Sequence, residues 1–183
     1  MEKQKLSIQK IFLIFAVQLL IVGLLVGVDL LTKELIYQPI ADGANDIILI
    51  PGVLRFTAVE NTGASFGIFK DATLALSIVS LITVVAVTAF LFFAVPYRRK
   101  LLDAALILII AGGIGNLVDR FALHYVRDFI YFELIDFAVF NVADSCLTIG
   151  CILLIIFVLF CYRPASPKKS DSDGQSGGGD RSV

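Results

Sequence analysis

The chain has 183 residues, 58% of them hydrophobic and 17% charged, with a mean hydropathy of +0.90. That balance excludes an ordinary soluble domain and indicates an integral membrane protein. The formal charge is −1 at pH 7 and no basic face points to nucleic acid, so the information lies in how the charges are spread along the chain.

Residues 11 to 28 carry no charge. A helix of that length, rising about 1.5 Å per residue, nearly crosses a hydrocarbon core of roughly 30 Å. Lys3, Lys5 and Lys10 precede this run and no A-x-A pattern follows it, which predicts an uncleaved signal anchor as the first span, to about residue 31. In the DLLTK segment, Asp29 and Lys33 are four residues apart and predict an ion pair on the helix surface.

Residues 34–71 have mixed composition, with turn signals at Pro39, Asp42-Gly43 and Pro51-Gly52. The β-prone runs 47–50 and 53–59 predict a small extracytoplasmic hairpin or sheet lying on the membrane. Its second arm leads into ENTGASFG, where Asn61 offers a donor and an acceptor, and where Gly63 and Gly67 permit close backbone approach.

A second span is predicted over 72–95, ending at the basic turn Pro96-Tyr97-Arg98-Arg99-Lys100. A third covers 101–120, with Asp103 near its start and Gly112, Gly113 and Gly115 near its end, where small residues let helices approach. After a short connection holding Asp128, a fourth covers 137–162. The Ser/Gly-rich tail, 164–183, is predicted to be disordered and cytoplasmic. The expected fold is an all-α polytopic membrane protein, a four-helix transmembrane bundle with one small extracytoplasmic hairpin or sheet, in a single membrane domain over residues 1–163.

The basic flanks lie at the N-terminus, at the 96–100 turn and after the fourth span, so both termini are predicted to be cytoplasmic. DLLTK, ENTGASFG, GNLVDR, VRDF and FNVADS then gather near the opposite face. Cys146, Cys151 and Cys161 lie in the last apolar segment without C-x-x-C spacing and read as packing or lipid-facing residues, against a zinc site or a disulfide framework.

Ionisable groups in apolar sequence are expensive and so mark a site by default. Asp29, Asp119, Asp128, Asp136 and Asp144 are the candidates for acid/base work. Two carboxylates close together in a poorly hydrated site share a proton, giving one base and one acid that together activate water without metal. A Ser/His/Asp triad has to use His124, the only histidine, and neither H-E-x-x-H nor Walker A occurs. Structural readings stand beside these: Asp119 with Arg120 as a local ion pair at a helix end, Asn61 and Asn141 as interhelical glue, Glu133 and Asp136 at the interface, and His124 as a wet interfacial side chain. Asp144 resists that treatment, because apolar sequence runs on both sides of it.

Together the motifs resemble the bacterial lipoprotein signal peptidase family, signal peptidase II: DLLTK at 29–33, NTGASFG at 61–67, GGIGNLVDR at 112–120, VRDF at 126–129 and FNVAD at 140–144. The resemblance spans approximately residues 10–162. It implies an aspartyl peptidase of the bacterial inner membrane, with Asp128 and Asp144 as the catalytic pair and no metal or other cofactor. It further implies substrate-binding or supporting roles for Asp29, Lys33, Asn61, Gly63, Asn116, Asp119, Arg120 and Asn141. Implied partners are diacylglyceryl prolipoproteins, cut before the lipidated Cys, together with membrane lipids and globomycin-type inhibitors. One departure is His124, where the family usually has Gly, and it bears on the local turn. Two other classes compete: a small proton-coupled transporter or channel lined by the same acids, and a lipid-head-group transferase, against which the absence of a D-G-x-x-A-R motif counts.

Overall fold

The computed structural model describes residues 6–63, 73–97 and 99–162. The expectations for the 164–183 tail and for Gly67 lie outside these residues.

Helix α1, Ile8–Thr32, begins at Ser7, whose hydroxyl accepts the Lys10 N–H at 3.3 Å. It does not stop at the predicted boundary. A π-helical turn, Lys33–Tyr37, and a short helix α2, Gln38–Ala41, continue it, so the first ten residues of the expected loop are largely helical. Strand β1, Ile47–Ile50, and strand β2, Leu54–Asn61, form the expected hairpin. Helix α3, Thr73–Ala94, and helix α4, Lys100–Leu123, follow.

The sequence reading missed a third strand. Strand β3, Val126–Phe132, pairs antiparallel with β2 and completes a sheet of order β1-β2-β3. The fourth helix, α5, runs from Val142 to Ile156 and ends in a π-helical turn, Phe157–Cys161. It therefore starts five residues later than predicted: Phe140 is extended and bridges Ile130 of β3.

Four helical segments are long and apolar enough to cross a membrane: Ile8–Ala41, Thr73–Tyr97, Lys100–Leu123 and Val142–Cys161. Helix α4 lies at the centre, with 61% of its most apolar window buried against 11 to 22% for the others. Leu102, Leu106, Ile107, Ile110 and Ala111 of α4 form a core with Val22 of α1, Leu91 of α3 and Phe157. The other three helices turn broad apolar faces outward, as a bilayer solvent permits. Close approach depends on glycine at two points of α4. A Cβ on Gly112 would fall on the Ala143 carbonyl oxygen of α5, and one on Gly115 would lie 2.6 Å from Asp29 Oδ2 of α1.

Candidate active site

Asp128 reaches the site through strand register. A bulge between Phe56 and Val59 shifts the β2–β3 pairing so that Val59 faces Asp128 and Asn61 faces Val126. Asn61 and Asp128 are then diagonal neighbours on one face, and Asn61 Nδ2 donates to Asp128 Oδ2 at 2.9 Å. The Gly63 N–H donates to Asn61 Oδ1 at 3.0 Å, which fixes which end of that amide faces the acid.

Asp144 is placed by a helix cap. Asn141 is the N-cap of α5 and Asp144 the third residue of its first turn: Asn141 Oδ1 accepts the Asp144 N–H at 2.8 Å, and Asp144 Oδ2 accepts the Asn141 N–H at 3.2 Å. A carboxylate there also faces the positive end of the helix dipole.

Two amides bridge the acids. Asn141 Nδ2 donates to Asp128 Oδ1 at 2.7 Å and to Asn116 Oδ1 at 3.0 Å, and Asn116 Nδ2 donates to Asp144 Oδ1 at 2.7 Å. All four carboxylate oxygens thus accept a hydrogen bond from a neutral donor, which orients both groups without neutralising either. Asp128 and Asn141 are fully buried, while the half-buried Asp144 lines a cavity of about 200 Å³ with Asn61, Asn116, Arg120 and Leu147. Burial, and then the neighbouring Asp144 charge, push the Asp128 carboxyl up to about 7, against the pull of the Asn61 and Asn141 hydrogen bonds and of Lys33.

A charged cluster lies beneath the pair. Lys33 Nζ meets Asp29 Oδ2 at 2.7 Å and Asp119 Oδ2 at 3.1 Å, and it donates to Asn116 Oδ1 at 3.4 Å. Asp29 Oδ1 accepts the Ala143 N–H at 2.8 Å, tying α1 to the start of α5. The predicted Asp29–Lys33 pair therefore exists but is not on the surface: both residues are buried inside the bundle.

The Asp119–Arg120 pair is not formed. Asp119 turns to Lys33 and to Arg127, while Arg120 Nη2 donates to the Gly63 carbonyl at 3.4 Å. Arg127, which the sequence reading did not single out, donates to Asp119 from its backbone N at 3.0 Å and from Nη2 at 2.9 Å, and reaches Glu34 at 3.2 Å through Nη1. Its signal was available: a guanidinium beside Asp128 in a run rich in apolar and aromatic residues calls for an anionic partner. His124 stands exposed at the C-cap of α4 in left-handed conformation, φ 67°, so the turn usually made by glycine is kept with a side chain in place. Tyr131 donates to Asp136 at 2.6 Å at the exposed end of β3, apart from the acids.

The ten residues expected to form a site thus come together in one network drawn from α1 and the π-helical turn after it, β2 and the residues that follow it, α4, β3 and the capped start of α5. Setting aside the exposed Glu34, Asp29, Asp119, Asp128 and Asp144 face three cations, Lys33, Arg120 and Arg127. One proton shared by the acid pair brings that cluster to neutrality. Residues 63–67 also fit the spacing G-x-S-x-G, but the sheet among the described residues is antiparallel and three-stranded, not the α/β-hydrolase sheet that gives the motif its meaning.

Comparison with known proteins gives a consistent outcome. Residues 21–160 match a peptidase family A8 model described as signal peptidase (SPase) II. A lipoprotein signal peptidase of Lactobacillus johnsonii is 39% identical over 142 residues, covering 77% of this chain and 91% of that protein. That of Clostridium tetani is 39% identical over 145 residues, with 78% and 92% covered, and that of Streptococcus pyogenes is 41% identical over 133 residues, with 73% and 86% covered. Among solved structures, a bacterial membrane enzyme determined by the in meso method superposes with a TM-score of 0.72 at 31% identity, over 95% of this chain and all of that one. A second superposes with a TM-score of 0.68 at 31% identity, over 87% and 97%.

Proposed function

Since this chain belongs to the signal peptidase II family, we propose that Asp128 and Asp144 are the catalytic carboxylates of an intramembrane aspartyl endopeptidase. The protein is a multi-pass membrane protease that removes signal peptides from prolipoproteins. Its substrates carry a diacylglyceryl group, and the bond cut is the one before the lipidated Cys.

The observation that carries the catalytic assignment is the bridge of Asn141 and Asn116 between two carboxylates from separate elements. In the reaction, the ionised member of the pair takes a proton from water as the water oxygen bonds to the scissile carbonyl carbon. The protonated member gives its proton to the carbonyl oxygen. The tetrahedral adduct then collapses, the C–N bond breaks, and the amine nitrogen leaves with a proton from the pair. Lys33, Asp29, Asp119 and Arg127 hold the amide bridge in place, and Asn61 and Arg120 line the side on which the peptide enters.

The acid site faces the outer side of a bacterial inner membrane and both termini face the cytoplasm, a reading supported by the basic residues of the 96–100 turn and of the N-terminal segment. The substrate's acyl chains stay in lipid throughout, and globomycin-type cyclic peptides compete for the same cavity. A transport reading of the same acids finds no support in the relatives, which are peptidases by name.

The test is direct. Purified protein incubated with a diacylglyceryl prolipoprotein is expected to release the signal peptide and leave the lipidated Cys as the new N-terminus, with EDTA present and without it. A precursor left intact under these conditions overturns the reading.

A further inference from the structure

A second cavity, of about 400 Å³, adjoins the acid site between the first turns of α3 and the last turns of α4. Thr73 and Ser77 line one wall and Arg120 and His124 the other, while the exposed Leu74 and Phe121 form the rim. Arg120 is common to both cavities. Along α4, Arg120 lies about 6 Å and His124 about 12 Å beyond Asn116, away from the basic 96–100 turn. A signal peptide keeps its basic end at the cytoplasmic face, so the chain past the scissile bond continues in that same direction. An extended segment advances about 3.3 Å per residue, which brings the residue after the lipidated Cys to the level of this cavity.

The hydrogen bonds already made by the lining decide what it can receive. Thr73 Oγ1 donates to the Thr62 carbonyl at 2.8 Å and Ser77 Oγ donates to the Thr73 carbonyl at 2.7 Å, so both hydroxyls have committed their protons and offer lone pairs. The opposite wall offers donors. Arg120 makes one hydrogen bond among the described residues, the 3.4 Å contact to the Gly63 carbonyl, and no ion pair, which leaves most of its N–H groups for a ligand. His124 adds an exposed ring at the mouth. The left-handed turn at φ 67° suits glycine better, so what a histidine contributes there is its side chain.

Resting on the peptidase reading, we propose that this cavity is the subsite for the residue that follows the lipidated Cys, and that it selects a short carboxamide side chain, Asn, with Ser77 and His124 setting the selectivity. A carboxamide gives its N–H groups to the hydroxyl wall and accepts from Arg120 and His124 with its oxygen. A carboxylate has no proton for the hydroxyl wall, and it adds negative charge to a cluster that one shared proton already makes neutral. An aliphatic side chain leaves both walls unmet.

The experiment compares kcat/KM of the full-length protein in detergent for one diacylglyceryl prolipoprotein prepared with Asn, Asp, Ala or Leu after the Cys. The wild type is expected to prefer the Asn form to the Ala form by about tenfold, as two hydrogen bonds of modest net strength give. The Asp and Leu forms are expected to be cut no faster than the Ala form. His124→Gly and Ser77→Ala are each expected to lower the Asn-to-Ala ratio to about threefold or less, one hydrogen bond having been removed. A change in stability alone scales all the rates together and leaves that ratio where it was. Equal rates for the Asn and Ala forms in the wild type overturn the proposal. So does a preference for Asp or Leu, or a ratio unaltered in both variants. Failure to cut any of the precursors overturns the peptidase reading instead, so the two failures are distinct.

Discussion

Asp128 combines full burial with a carboxyl pushed up to about 7, and the sign of that shift sets two expectations. In the unfolded chain an aspartate releases its proton near 3.8. Between that pH and about 7 the folded protein holds a proton that the unfolded chain has lost, so this group's contribution to stability declines as pH rises through the interval. Asp128→Asn is therefore expected to be inactive yet to lose less thermal stability than the wild type between pH 5 and pH 8, measured as Tm in detergent (the pH limits bracket about 7). Wild-type cleavage is expected to fall above about pH 7 as the shared proton is lost. A flat stability profile in both proteins contradicts the assigned burial. His124 supports an opposite kind of substitution. Its left-handed backbone costs an L-residue roughly 1–2 kcal/mol, part of which glycine returns to the unfolded state as entropy. His124→Gly is expected to raise stability by up to about 1 kcal/mol with cleavage retained. The acids were legible in the sequence because charge in apolar sequence is costly. Their partners were less so. Asp119 and Arg120 are adjacent in sequence, yet successive helix residues do not face each other, and the true partners come from α1 and β3.

Helices α4 and α5 meet at the level of the acid pair, and Gly112 sets their separation. A methyl group there has no room beside the Ala143 carbonyl and lies 2.7 Å from Leu147 Cγ, so Gly112→Ala is expected to push α5 outward. Overpacking of this kind costs roughly 1–3 kcal/mol, and the displaced Asp144 is expected to lose most of its activity. Gly23→Ala in α1 is the control, because nothing lies within 4 Å of its Cβ position and the variant is expected to match the wild type in both Tm and rate. The spans were readable from the length of their apolar runs, whereas β3 was not. Val126–Phe132 has its pairing partner more than sixty residues away in β2, and a seven-residue run between two spans reads locally as a connection. Phe137 and the three residues after it are apolar enough to extend a predicted span, but the helix begins at Val142, where the Asn141 and Asp144 cap supplies the orphan N–H groups with acceptors. That N-x-x-D cap was present in the sequence and carried the boundary.

Across the whole molecule, the fold suspends a small sheet at one end of four apolar helices and inserts one polar network where the two meet. The network is held from every direction: α1 and the π-helical turn that continues it supply Asp29 and Lys33, α4 supplies Asn116 and Asp119, and the sheet supplies Asn61, Arg127 and Asp128. Asn141 and Asp144 then join it from the first turn of α5. Such convergence of distant segments is invisible to any local pattern and follows from the topology, which brings alternate ends of the spans to one face. Its consequence is that neither acid is expected to act alone. The central claim is tested by single-turnover cleavage of a diacylglyceryl prolipoprotein by the wild type, Asp128→Asn and Asp144→Asn, each first matched for membrane insertion and substrate binding. Loss of cleavage in both variants, by at least about a thousandfold as expected when a general acid or base is removed, with binding retained, is the predicted result; cleavage near the wild-type rate in either one contradicts the account.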